Sequence, residues 1–398
     1  MAQRIRNIVM SLSGISVVFI MLLALDACAQ PGSVLAMKEG DPVSIGTIRK
    51  IRSEVLGEER TMLVWLPRDY EGTRLRFPVL YLLYGDQVEG YFAETVHQVS
   101  RLGTNGTIPQ LIVVGIANVE RYRDLRPDGQ RGNPSGIGPF TEFLGSELFP
   151  FIESEYRTKD FRILVGPQAG GVFGLYELTG GTGLFDAYIL ENPFYSKSCS
   201  GLLMERSGEY FAGAPDRYSF LHIKCVTGSP HRDTSEAASA VRRFEEMVSS
   251  LQPAGLDLHI NYTYDGDFIP SPDQKAGLEE LFADFTLPGD KQVERLEDFT
   301  SHYDSLSARL GFEIGYPEIP LVSKADLLKR SGRVDEAAEM FEFVLEQNPL
   351  SLNGYWQLAN IRRERGDTEG AIEYYRKCLE LMPNMAPARE WLERLEER

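Results

Sequence analysis

The sequence predicts a mostly parallel α/β sheet with helices on both faces, followed by an all-α repeat unit. Short apolar runs at Pro78 to Leu83, Gln110 to Ile116, Arg162 to Val165, Asp186 to Leu190 and Phe220 to Val226 read as central strands. Segments of helical period separate them, the alternation that parallel strands need for their crossovers. Beyond Pro288 the pattern becomes an internal repeat: Gly332, Ala337, Phe341 and Pro349 return as Gly366, Ala371, Tyr375 and Pro383, a fixed offset of 34 residues. That is the tetratricopeptide period.

Before the sheet, residues 44–66 alternate around Leu56-Gly57-Glu58-Glu59, which predicts a hairpin or two edge strands. Leu258 to Tyr264 is the last expected strand. Helices are expected at roughly Gly90 to Leu102, Phe140 to Tyr156, Val172 to Leu178, Ser235 to Leu251 and Ser271 to Phe285. Residues 291–313 form a further helix with Leu296, Phe299, Tyr303, Leu306 and Leu310 on one face. Pro387 to Arg398 reads as a polar cap with Trp391 and Leu395 packed inward. The expected division is a signal at 1–29, an α/β domain at 30–290, a helical connector at 291–320, and two repeats plus a cap at 321–398.

At 398 residues the chain is long enough for two domains with a large core. A formal net charge of -17 argues against nucleic acid, whose phosphates are bound mainly through Lys and Arg. Residues 1–29 carry Arg4 and Arg6, then an apolar run from Ile8 to Leu25, then Ala27-Cys28-Ala29: a secretory signal. One reading cuts before Gln30. A second takes Leu25-Asp26-Ala27-Cys28 as a lipobox and puts lipid on Cys28, with Asp26 fitting poorly. A third keeps the run as an uncleaved anchor. Each places the body of the protein outside the cytoplasm, periplasmic or extracellular. Cys199 and Cys225 are either a disulfide of an oxidising compartment or two buried thiols, and Cys378 is packing on a helix face. No CxxC or His/Cys cluster suggests a metal, and no cofactor is implied.

The chemistry centres on Phe161 to Leu178, FRILVGPQAGGVFGLYEL. A buried strand, a glycine-rich turn and a helix are the setting of the nucleophile elbow, G-x-S-x-G. Gly166, Gln168 and Gly170 fill its three defining positions. A glutamine amide has no hydroxyl or thiol to deprotonate and cannot form an acyl-enzyme.

These features, with Glu59-Arg60-Thr61, Val64-Trp65-Leu66-Pro67, Ile112 to Ala117, Arg123-Asp124-Leu125 and Ile152 to Tyr156, resemble the enterochelin esterase-like and esterase D-like α/β-hydrolases, in the variant with C-terminal tetratricopeptide repeats. The resemblance runs from about residue 44 to the end and implies hydrolysis of ester bonds in small molecules. Family members read G-H-S-x-G-G at the elbow; here His and Ser are Pro167 and Gln168. The family's histidine phrase is best matched by Asp265 to Ser271, which puts Phe268 at the histidine. The acid position falls loosely on Asp233. The oxyanion amides implied by the resemblance are those of Ala169 and Asp86.

Losing either proton-transfer residue of a triad removes about six orders of magnitude. The expectation is therefore an exported pseudo-esterase with no catalytic residues. Gln168, Ala169 and Asp86 would bind a small ligand in the elbow cleft, and the repeats would bind a protein or peptide, or else only cover an edge of the sheet domain. The rival is a carboxylic-ester hydrolase with a relocated nucleophile, Ser196 or Ser198, while His231 with Asp233 lacks an obvious nucleophile. Metal-dependent hydrolysis through Asp265, Asp267 and Asp233 is a third option, against their plain role as solvated turn carboxylates.

Overall fold

The computed structural model describes residues 44–68, 70–71, 73–117, 120–129, 134–213, 217–228, 235–264, 274–287 and 295–397. The signal segment with Cys28 lies outside the described residues, as do His231, Asp233, Asp265, Asp267 and Phe268. The chain divides into two compact units, Ser44–Pro320 and one built on Leu321–Arg398.

The first unit holds an eight-stranded sheet: β1 (Thr47–Ser53), β2 (Glu58–Trp65), β3 (Phe77–Leu83), β4 (Ile112–Ile116), β5 (Thr158–Gly166), β6 (Ala187–Glu191), β7 (Ser219–Gly228) and β8 (Leu256–Tyr264). Their order is β1-β2-β4-β3-β5-β6-β7-β8. The two pairings that involve β2 are antiparallel, and all the others are parallel. Every residue of β3 and β4 is buried, as apolar runs covered on both faces should be. Around the sheet lie α1 (Ala93–Thr104), α2 (Arg121–Leu125), α3 (Ile137–Phe143), α4 (Phe149–Glu155), α5 (Ala169–Leu178), α6 (Lys197–Ala212), α7 (Ser235–Leu251), α8 (Lys275–Leu281) and α9 (Leu296–Leu310).

Several segments differ from expectation: of the helix expected over Ser271 to Phe285 the described residues show Lys275–Leu281, and the short α2 was not foreseen. The helix expected over Phe140 to Tyr156 is two helices joined by a π turn at Leu144–Leu148. Pro150, in the first turn of α4, has no N–H for a regular ladder, which widens just before it. Helix α6 was not foreseen, because Gly201 and Gly208 and a weak apolar stripe hide its period; Cys199, Leu203, Ser207 and Phe211 are its buried face. The connector helix α9 belongs to the sheet unit. Tyr303 Oη donates to the Phe285 carbonyl at 2.8 Å, and Phe312, just beyond α9, stacks on Phe161 of β5.

The second unit consists of α10 (Glu318–Arg330), α11 (Val334–Gln347), α12 (Leu352–Glu364), α13 (Thr368–Leu381) and the cap α14 (Ala386–Glu396). Gly332 and Gly366 turn between paired helices at φ 85° and 80°, a conformation that disfavours any side chain. Ala337 and Ala371 are fully buried, as are Phe341 and Tyr375. The Tyr375 hydroxyl donates to Asn360 Oδ1 at 2.9 Å, so its burial leaves no orphaned polar group. Leu395 is buried and Trp391 packs on the same cluster, with the Arg363 guanidinium 4.0 Å from its ring centre.

Candidate functional site

The elbow forms as its glycines require. β5 ends at Gly166, and α5 begins at Ala169 directly after Gln168, which holds φ 51° and ψ -110°. A non-glycine residue takes such angles only where the surroundings force them, at a cost of about 1–3 kcal/mol. Here the force is the approach of helix to strand. A Cβ on Gly166 would lie 2.4 Å from the Gly170 carbonyl oxygen, and one on Gly171 would lie 2.5 Å from the Glu191 carbonyl oxygen. Gly171 and Val172 donate back to the Gln168 carbonyl at 2.9 and 3.2 Å, closing the turn. Gln168 is half-buried. Its side-chain amide makes no hydrogen bond among the described residues, and its donors and acceptor are available to a ligand.

Asp86 follows a second strained turn. Tyr84 has φ 66°, and Gly85 packs so closely on β4 that a Cβ would lie 2.3 Å from the Gly115 carbonyl carbon. Asp86 is exposed at the carboxyl end of β3, beside β5. Neither the Ala169 nor the Asp86 amide donates to an acceptor among the described residues. Both stand at the carboxyl ends of adjacent parallel strands, where open α/β sheets bind ligands.

A second constellation lies beyond β4 and β6. Asn192, at φ 49°, turns the chain after β6 and accepts from the Val226 amide at 2.9 Å, which sets up Ser196 and the start of α6. The fully buried Arg60 of β2 pairs with Asp124 of α2 at 2.8 Å, and Arg123 bridges Asp124 and Glu58 at 2.7 Å each. That anchor presents Arg126. Its guanidinium grips Asp128 at 2.7 and 2.9 Å and reaches Ser196 Oγ at 2.7 Å and Ser198 Oγ at 3.0 Å. Ser198 donates to Asp128 at 2.5 Å and lies 3.1 Å from Ser196. The hydrogen bond from Arg126 holds the Asp128 carboxyl far below the usual carboxylate range. Such a carboxylate is a poor base for a serine proton. Burial raises the Cys199 thiol, which keeps it protonated.

Three of the described histidines are engaged elsewhere. His222 is buried against Glu280 at 2.6 Å, His259 meets Asp257 at 2.9 Å, and His302 meets the Asp284 carbonyl at 2.7 Å. His97 is exposed on α1. Cys199, Cys225 and Cys378 are free, buried thiols, so the disulfide alternative for the first two is set aside. Sequence reasoning singled out Ser196 and Ser198 but missed Arg126 and Asp128, which lie about 70 residues away in the chain. The only hint was the phrase Arg123-Asp124-Leu125, which proves to anchor their loop.

The family model described as "Putative esterase" matches residues 53–280, and one described as "Tetratricopeptide repeat" matches residues 322–386. The chain belongs to this esterase family. Among curated proteins, this chain is 27% identical over 161 residues to the uncharacterized protein YjcH of Bacillus subtilis (strain 168), a match covering 38% of it. It is 32% identical over 137 residues to the ferri-bacillibactin esterase BesA of the same organism, covering 29% of this chain. These matches span 64% and 47% of the relatives' own lengths. An IroE-like serine hydrolase from Shewanella oneidensis is similar in structure, with a TM-score of 0.63 and 26% identity over 76% of this chain and 99% of that one. An uncharacterised protein from Capnocytophaga ochracea DSM 7271 shares the fold, with a TM-score of 0.59 and 16% identity over 88% of this chain and 99% of its own.

Proposed function

We propose that this esterase-family chain binds a small ester-bearing ligand at its elbow and does not cleave it. One observation carries the reading: Gln168, an amide without a nucleophilic oxygen, holds the strained corner at the head of α5. The free amides of Ala169 and Asp86 would receive a carbonyl oxygen, and Gln168 would hydrogen-bond beside it. BesA is named for a ferri-bacillibactin ester, so a siderophore-type ester is the ligand class we infer. Phe268 at the histidine position completes the proposed loss of both proton-transfer residues, and the acid position falls loosely on Asp233. Tetratricopeptide repeats in general mediate contacts between proteins, and we assign the second unit that role. The signal expected in residues 1–29 makes this an exported protein, tethered where Cys28 is lipidated.

Titration calorimetry with ferri-bacillibactin and with ethyl butyrate tests the binding. We expect saturable heat from at least one of them, lost in Gln168→Trp with an unchanged unfolding temperature. No binding of either by the unmodified chain would overturn the reading.

A second reading rests on the hydroxyl pair at Ser196 and Ser198. It keeps ester hydrolysis through one of them. The depressed Asp128 carboxyl speaks against it, and its test is hydrolysis abolished by Ser196→Ala or Ser198→Ala.

A further inference from the structure

The elbow has a polar neighbour that its own turn does not use. Gln274 stands directly before α8 and is 1% exposed. Its side chain does not cap that helix. Neither Nε2 nor Oε1 of its amide has a hydrogen-bond partner among the described residues. Such a group costs stability, because water satisfies it in the unfolded chain and nothing replaces that water on folding. Buried polar groups in this state are few, and each calls for a reason.

The position is firmly set. Glu280 of α8 meets the buried His222 of β7 at 2.6 Å. A Cβ on Gly277 would lie 2.9 Å from Ile189 Cγ2 of β6. Those contacts seat α8 on the sheet, and Gln274 is carried in with it. An apolar side chain of similar shape would fill the same space without the cost.

The amide lines a small cavity together with Gly166 and Pro167 of the elbow turn, Glu191 of β6 and Lys224 of β7. The rest of the lining is apolar. The cavity measures about 10 Å³, room for roughly one oxygen-sized group. Glu191 and Lys224 are register partners on adjacent strands, and both are half-buried. Their opposite charges leave the lining near neutral, which favours a neutral guest over a carboxylate or an ammonium. The Gln274 amide offers both donors and an acceptor, and a hydroxyl answers either through a single oxygen.

We propose that this cavity is a subsite for a hydroxyl group of the bound ester, with Gln274 as its recognition residue. The proposal rests on the ester-binding reading of the elbow and narrows the ligand class to hydroxyl-bearing esters. It also gives the buried amide its reason: stability is given up for a hydrogen bond made only when ligand is present.

Titration calorimetry of the full chain tests it with ethyl butyrate, ethyl 3-hydroxybutyrate and 2-hydroxyethyl butyrate. The last two add one hydroxyl on either side of the ester bond. At least one of them should bind about tenfold tighter than ethyl butyrate. Gln274→Met, close in shape but without the amide, should bring that ratio to about one and raise the unfolding temperature. A merely structural glutamine would behave in reverse, with the ratio kept and the unfolding temperature lowered, and that result overturns the proposal. Should Gln274→Met not fold, Gln274→Asn, which withdraws the same amide by one methylene, takes its place in the binding comparison. Equal binding of all three esters by the unmodified chain also overturns the proposal, leaves the elbow reading standing, and assigns the cavity to water. Binding of none of the three overturns it as well, and ferri-bacillibactin then decides the elbow reading by itself.

Discussion

The elbow and the Ser196 cluster lie beyond the carboxyl ends of strands in the same sheet, and they hold different functional groups. The elbow keeps the backbone: a strained corner, close-packed glycines and two free amides, with an amide side chain at its head. The cluster keeps the hydroxyls, but its carboxylate is spent on Arg126. The difference is instructive because the two regions are held by different forces. Steric exclusion between backbones fixes the elbow, and it survives a change of side chain. Ion pairing fixes the cluster, and the same pairing that orders its serines holds the Asp128 carboxyl well below its ordinary value.

Each region should therefore break in its own way. Asp124→Ala should be the most damaging to stability, by about 3 kcal/mol, because it takes a partner from the fully buried Arg60 and frees the loop that carries Arg126. Urea unfolding measures it. Gly171→Ala strikes the elbow instead. Its methyl must displace the Glu191 carbonyl, at a cost of about 1–3 kcal/mol that outweighs alanine's better helix propensity. The same unfolding experiment should show a loss no larger than that of Asp124→Ala.

A pH series sharpens the contrast. Glu177, on the elbow helix, is pushed up to about 7 by burial, which outweighs the hydrogen bond from Tyr188. Between the ordinary glutamate value near 4.5 and about 7, the unfolded chain ionises while the folded chain stays protonated. Stability should therefore fall as pH rises through that window and level off above it. Glu177→Gln should flatten the slope. Asp128 acts in the opposite sense. Its depressed carboxyl adds stability that is present above the ordinary aspartate range and lost as pH falls below it. Unfolding midpoints taken across pH should separate the two.

Much of this architecture was legible in the sequence. Fully apolar runs gave β3 and β4, and Gly166, Gly170 and Gly171 announced a turn in which helix and strand touch. The 34-residue period placed Gly332 and Gly366 at left-handed corners. Long-range pairing was not legible. Nothing local says that β4 inserts between β2 and β3, or that Arg60 meets Asp124 across 64 residues. Nothing in the sequence marks Arg126, which the fold brings to Ser196 and Ser198. Helix α6 escaped notice because its buried stripe includes a serine, whose hydroxyl bonds the Leu203 carbonyl within the helix.

Hydrolysis of p-nitrophenyl butyrate, with protein in molar excess over ester, tests the central claim most directly. The account predicts p-nitrophenolate release at the buffer rate from the unmodified chain and from Gln168→Ser, since the proposed histidine position carries Phe268, which is no base. Release well above buffer that disappears in Ser196→Ala or Ser198→Ala would contradict it, as would activity gained by Gln168→Ser alone.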